Sequence, residues 1–183
     1  MGLDILLQTE IETAFSLEDF DKFSLSREFC NLMCRKDVVE HESELDQIGK
    51  ITNVDISCFY LMETYPDEDY IEDCLEFAET EAEKEQILAE AKIAKKAIEG
   101  NIDLVLQTLH QLLEKLAKID NLPNLLLPTE FDTLNSKYYF SDFTINKGKG
   151  YIDNNFGHDL RNFQRFVANA KSKGNQTVWF TYG

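Results

Sequence analysis

The sequence predicts a mostly helical α+β domain, and three observations carry that expectation. Apolar residues recur at helical spacing through most of residues 80–119. Short stretches near both ends alternate, or are rich in β-branched and aromatic residues. Proline and glycine are scarce, three and eight in 183 residues, which leaves little room for long irregular segments.

Taken in order, Leu3, Ile5 and Leu7 alternate and predict a first strand near residues 3–8. Ser16 with Asp19, Ser26 before R-E-F-C-N-L-M-C, and Ser43 before E-L-D-Q-I each fit the N-cap of a short helix. Gly49 is expected to close the third of these, and Asn53 to cap another running through Ile56, Phe59 and Tyr60. Residues 80–119 predict a long αα-hairpin. Thr80 and Glu83 form a capping-box pair, and Ile87, Ala91, Ala94 and Ile98 follow at 4-3-4 spacing. Gly100-Asn101 then breaks the helix. Beyond the break, Ile102, Leu106, Leu109, Leu113 and Leu116 repeat at 4-3-4-3, widened by Val105, Leu112 and Ile119.

After Ile119 comes a Pro-punctuated connector, residues 120–128, whose leucines are expected to plug one end of the core. The aromatic run K-Y-Y-F-S-D-F-T predicts a strand near 138–143, and N-K-G-K-G a turn at 146–150. Leu160, Phe163, Phe166, Val167 and Ala170 share a helical face over residues 159–170, with Gly174 as a stop. T-V-W-F-T-Y predicts a closing strand near 177–182, in which Trp179 should be largely buried. The sheet is therefore expected to have about three strands, within a single domain spanning residues 1–183.

Charge is the unusual property. The net charge is −16, and residues 1–120 hold 29 acids against 11 bases, whereas residues 121–183 hold 5 against 7. An acid excess of this size argues against direct nucleic-acid binding, which needs clustered Lys and Arg. No apolar run approaches the roughly 20 residues of a membrane span, and no basic-plus-apolar leader opens the chain. Together with Cys30, Cys34, Cys58 and Cys74 read as reduced thiols, this predicts a cytoplasmic protein without membrane association.

The opening M-G-L-D-I resembles the start of small uncharacterised proteins of bacteria and their phages. The resemblance covers residues 1–5 and implies no activity or site.

Three constellations could carry chemistry. Cys30 and Cys34 lie one helical turn apart with His41 nearby, but a metal site needs more ligands than that, so they are assigned to the core beside Phe29 and Met33. No metal and no cofactor is expected, since no Gly-rich phosphate loop is present either. The run Y-I-D-N-N-F-G-H-D-L-R-N-F-Q-R gathers Asn154, Asn155, His158, Asp159 and Arg161, with Arg165 a turn further on. A His beside an Asp at a helix start could act as an acid–base pair. The plainer reading makes Asp159 an N-cap and the arginines a solvated face.

The third constellation is acidic. Asp69, Glu72, Glu76, Glu79, Glu83 and Glu90 are spaced 3-4-3-4-7, and residues 63–90 hold 12 acids and one base. If that segment were one helix, a carboxylate would recur about every 3.5 Å of axis, near the spacing of about 3.4 Å between phosphates along a DNA strand. The leading expectation is a non-enzymatic, immunity-like or anti-defence-like binding protein. It would present these carboxylates to a basic partner, a nuclease-like or nucleic-acid-handling protein, and block its polyanion-binding surface. The alternatives are a small enzyme centred on the 154–161 run, and a structural protein whose helical hairpin forms a homodimer.

Overall fold

The computed structural model describes residues 4–11, 22–127, 136–148 and 155–183. It is mostly helical, with one small antiparallel sheet. In chain order the elements are β1 (Ile5–Thr9), α1 (Arg27–Cys34), α2 (Glu44–Thr52), α3 (Ser57–Glu63), α4 (Glu68–Phe77), α5 (Glu81–Ile98), α6 (Ile102–Leu116), a single turn α7 (Ser136–Tyr139), α8 (Phe156–Ser172) and β2 (Val178–Tyr182).

The sheet joins the two ends of the chain, with Ile5 opposite Tyr182 and Thr9 opposite Val178. Its inner face, Ile5, Leu7, Val178 and Phe180, is buried. Phe180 meets Phe163 of α8 at 5.4 Å and Phe29 of α1 at 6.2 Å between ring centroids. Trp179 is buried as expected, but on the other face, stacked on Tyr65 at 4.1 Å. The apolar stripe of α6 (Val105, Leu109, Leu112, Leu116) packs against that of α8 (Leu160, Phe163, Val167). Each such side chain contributes roughly 1.5–3 kcal/mol on burial, which makes this pair the centre of the fold.

The break at Gly100-Asn101 is present, with a division of labour between its residues. Gly100 takes the left-handed conformation, φ 72°, which costs a glycine least. Asn101 stays right-handed and is buried, and its amide docks on β2: Nδ2 donates to Val178 O at 2.8 Å, and Val178 N–H donates to Oδ1 at 2.9 Å. The helices on either side use different partners. α5 lies on α3 and α4, whereas α6 lies on α8, α2 and α3.

Several local expectations are corrected. Among the described residues the sheet has two strands, not three: around 138–143 the chain makes α7 and then an irregular run with Asp142 at φ 60°. The consecutive aromatics Tyr139 and Phe140 are both buried, packing around Phe156 rather than alternating between two faces. Helix α2 continues past Gly49 to Thr52, and left-handed Asn53 closes it instead of opening α3. Of the connector leucines, Leu122 is buried and Leu126 partly so, while Leu125 and Leu127 are exposed. Ser26 and Ser43 are N-caps as predicted, each accepting a backbone N–H. The expectation on Ser16 and Asp19 lies outside the described residues.

Candidate functional site

The acidic segment is not one helix. Asp67 caps α4, accepting Tyr70 N–H at 2.8 Å, and α4 ends at Phe77. Thr80 then caps α5 in an extended conformation, φ −130°, ψ 153°. An N-cap needs non-helical backbone, so a helix cannot pass through it. The two helices run in opposite directions side by side: Lys95, near the end of α5, pairs with Glu68 at the start of α4. Tyr70, Cys74 and Phe77 of α4, with Glu83, Ile87 and Glu90 of α5, line a cleft of about 690 Å³ between them.

The six predicted carboxylates are therefore divided. Asp69, Glu72 and Glu76 lie on α4, Glu79 in the connection, and Glu83 and Glu90 on α5; all are exposed. The regular phosphate-like spacing along a single axis is lost, and an acidic two-helix arm replaces it. Glu83 also has a local duty, since its Oε2 accepts the N–H groups of Glu79 at 2.8 Å and Thr80 at 3.0 Å and completes the capping box. Glu90 accepts Gln86 Nε2 at 2.8 Å. No such engagement is found for Glu72, Glu76 or Asp69 among the described residues.

Sequence reasoning missed the apolar side chains set among these acids. Phe77 is 83% exposed and Tyr70 62%, and Leu88 and Ile93 on α5 are exposed as well. The arm buries few of its own residues, Ile71, Ala91 and Ile98. Large exposed aromatics ringed by charge are what anchors of protein interfaces look like before binding. The signal was the phenylalanine in C-L-E-F-A-E, which has no helical partner at i±3 or i±4 on a buried face.

The 154–165 run is a buried knot. Asn155, not Asp159, is the N-cap of α8, with Oδ1 accepting His158 N–H at 2.9 Å. His158 and Asp159 are 3% and 2% exposed. The oxygens of Asp159 are taken up by Ser26 N–H at 2.8 Å, Ser26 O–H at 2.7 Å and Tyr139 O–H at 3.0 Å. Burial pushes its carboxyl up to about 7, against the pull of those donors. Burial, with the Asp159 carboxylate beside it, raises the Tyr139 hydroxyl far above its ordinary range.

The arginines hold a loop rather than solvating a face. Arg161 donates to the carbonyls of Asp142 and Gly157, each at 2.8 Å, and of Phe143; Arg165 donates to Gly148 O and, at 2.6 Å, to Asn146 Oδ1. Asn154 lies outside the described residues. These groups are brought together, but their bonding partners are parts of the fold.

Cys30 is buried, and burial together with neighbouring Cys34 pushes its thiol up to about 12, the behaviour of a packing thiol. Among the described residues no cluster of His, Cys, Asp or Glu is placed to hold a metal, and no helix is long and apolar enough to cross a membrane. No family model, curated protein or solved structure matches this chain.

Proposed function

We propose that this is a non-enzymatic binding protein whose α4–α5 arm engages a basic protein partner, occupying the surface that the partner would offer to a polyanion. The observation that carries the reading is the exposure of Phe77 and Tyr70 among Asp69, Glu72, Glu76, Glu79 and Glu90, on an arm that buries few residues of its own. The aromatics supply desolvated contact area, and the carboxylates supply steering and the choice of a basic partner. A nuclease-like or nucleic-acid-handling protein fits that chemistry.

The test is capture from cell extract with wild-type protein and with a variant carrying Glu72→Gln, Glu76→Gln, Glu79→Gln and Glu90→Gln, which keeps Glu83 for its cap. The reading requires a basic protein held by wild type, released by salt and lost by the variant. A captured partner indifferent to both overturns it.

The enzymatic alternative around His158 and Asp159 draws less support, because Asp159 is committed to Ser26 and Tyr139 in the interior.

A further inference from the structure

Helices α4 and α5 leave one side of their junction uncovered, and the cleft there is apolar within and acidic around. Cys74, Ala78 and Ile87 are half-buried along it, and Tyr70 and Phe77 stand exposed beside them. The two aromatics are seven residues apart on α4, about two turns or roughly 10.5 Å of axis. The lining residues also carry four carboxylates, Asp73, Glu79, Glu83 and Glu90, and no lysine or arginine. Lys84 and Lys95 of α5 are each paired within the arm, Lys84 with Glu81 at 2.9 Å and Lys95 with Glu68. Among the described residues the carboxylates of Asp73 and Glu79 engage no partner.

Two properties of this cleft choose its occupant. Both walls are α-helices, whose backbone N–H and C=O groups are bonded within each helix. An extended chain laid here would find no ladder to join and would press its own unpaired backbone groups onto apolar side chains. A helix arrives with its backbone already bonded. An apolar floor inside an acidic lining then calls for apolar side chains at i, i+3 or i+4 and i+7, flanked by lysine or arginine. A second copy of this chain carries −16 and would set carboxylates against carboxylates.

We propose that the α4–α5 cleft takes an amphipathic basic helix of the partner, laid along Tyr70 and Phe77 as a third helix beside the arm. This rests on the reading of the arm as the partner-binding surface, and it narrows the partner to one that offers a helix rather than a folded basic face.

The experiment uses the thiol that the cleft already contains. A peptide of about 15 residues, stapled so that it is helical in water, carries leucine at the i, i+4, i+7 and i+11 positions and lysine elsewhere. Alkylation of each cysteine is timed by mass spectrometry with and without the peptide. Cys74 should react about tenfold more slowly at saturating peptide, because a covered thiol is out of reach of the reagent. Half-buried Cys34, on α1, should keep its rate. Phe77→Ala should weaken the protection at least tenfold, whereas Leu104→Ala, an exposed leucine on α6, should leave it unchanged. An unstapled peptide with proline at its centre should not protect, and neither should a stapled one with glutamate for lysine.

An unchanged rate at Cys74 overturns the proposal, and so does equal slowing at Cys34 or equal protection by the proline peptide. Protection that rises with protein concentration alone would assign the cleft to a second copy and overturn it as well. The two readings of the arm fail separately. A basic partner captured through the arm and released by salt, with Cys74 left unprotected by the helix, sinks the cleft proposal and spares the proposed function. Protection of Cys74 beside a captured partner indifferent to salt and to the glutamine changes keeps the cleft and sinks the proposed function.

Discussion

Asp159 of α8 grips the residue that starts α1: its Oδ2 accepts the Ser26 hydroxyl at 2.7 Å, and its Oδ1 the Ser26 N–H at 2.8 Å. Ser26 Oγ in turn accepts Phe29 N–H at 3.2 Å. The cap of one helix is thus set by the first turn of another, far along the chain, and Tyr139 O–H adds a third bond to the same carboxylate. Bonds between distant segments make α1, α7 and α8 one cooperative unit.

This carboxylate gives stability a pH dependence of definite sign. Burial raises its folded value to about 7, above roughly 3.9 in the unfolded chain. The folded state therefore holds the extra proton between those limits. The contribution is fully present below about pH 4 and is lost as pH rises through 7, each tenfold difference in proton affinity being worth about 1.4 kcal/mol. Urea unfolding of wild type and Asp159→Asn should show the wild-type advantage shrinking by a few kcal/mol between pH 4 and pH 8. A difference that stays level across that range would contradict the assignment.

Arg35 and Glu44 form a buried ion pair, Nε to Oε2 at 2.6 Å, with side chains 2% and 7% exposed. Removing one partner of such a pair costs about 3–5 kcal/mol, because the other charge stays buried. Glu44→Gln should lower stability by that order. Arg35→Met combined with Glu44→Leu should cost less than Glu44→Gln alone. Calorimetric melting of the variants decides it; a double variant worse than the single would show that the pair itself, not the burial of the remaining charge, dominates.

Gly157 sits where α8 touches the loop that Arg161 holds. A Cβ there would stand 2.5 Å from Asp142 O and 2.7 Å from Ser141 O, both backbone atoms. Gly157→Ala must push that loop away and break the bond from Gly157 N–H to Ser141 O, 3.1 Å. A loss of about 1–3 kcal/mol is expected, with faster amide exchange at Gly157. An unchanged melting temperature would mean that the loop gives way freely.

How much of this was readable follows the range of each interaction. The Thr80–Glu83 box, the α8 stripe and the Gly100 break are local patterns that stand where their spacing put them, whereas the buried line of α6 runs through Val105 and Leu112 and leaves Leu106 and Leu113 half-buried. The same box also implied that no helix could run from Glu72 through Glu83, a consequence the periodicity of the acids concealed. The strand expected near 138–143 failed because Tyr139 and Phe140 are aromatic for packing around Phe156, and composition does not separate that from pairing. The roles of Asp159, Arg161 and Asn101 were hidden because Ser26, Asp142 and Val178 lie far from them in sequence.

The arm offers the sharpest separation of stability from binding. Phe77 is 83% exposed, so Phe77→Ala removes little that is buried on folding and should leave the melting temperature nearly unchanged. Glu72→Gln with Glu76→Gln relieves like charges one turn apart on α4, worth a few tenths of a kcal/mol per pair, and should leave stability equal or slightly higher. Glu83→Ala behaves differently, because it strips two N–H groups of their acceptor and should cost about 1 kcal/mol. Against a basic partner, Phe77→Ala should weaken binding at least about tenfold, mainly through faster dissociation, as losing an anchor does. The two glutamine changes should chiefly slow association, and that slowing should fade as the Debye length falls from about 10 Å at 0.1 M salt to about 3 Å at 1 M. Stopped-flow and surface-binding kinetics resolve both rates. If Phe77→Ala destabilised the fold while leaving dissociation untouched, Phe77 would belong to the interior and the arm would lose its anchor.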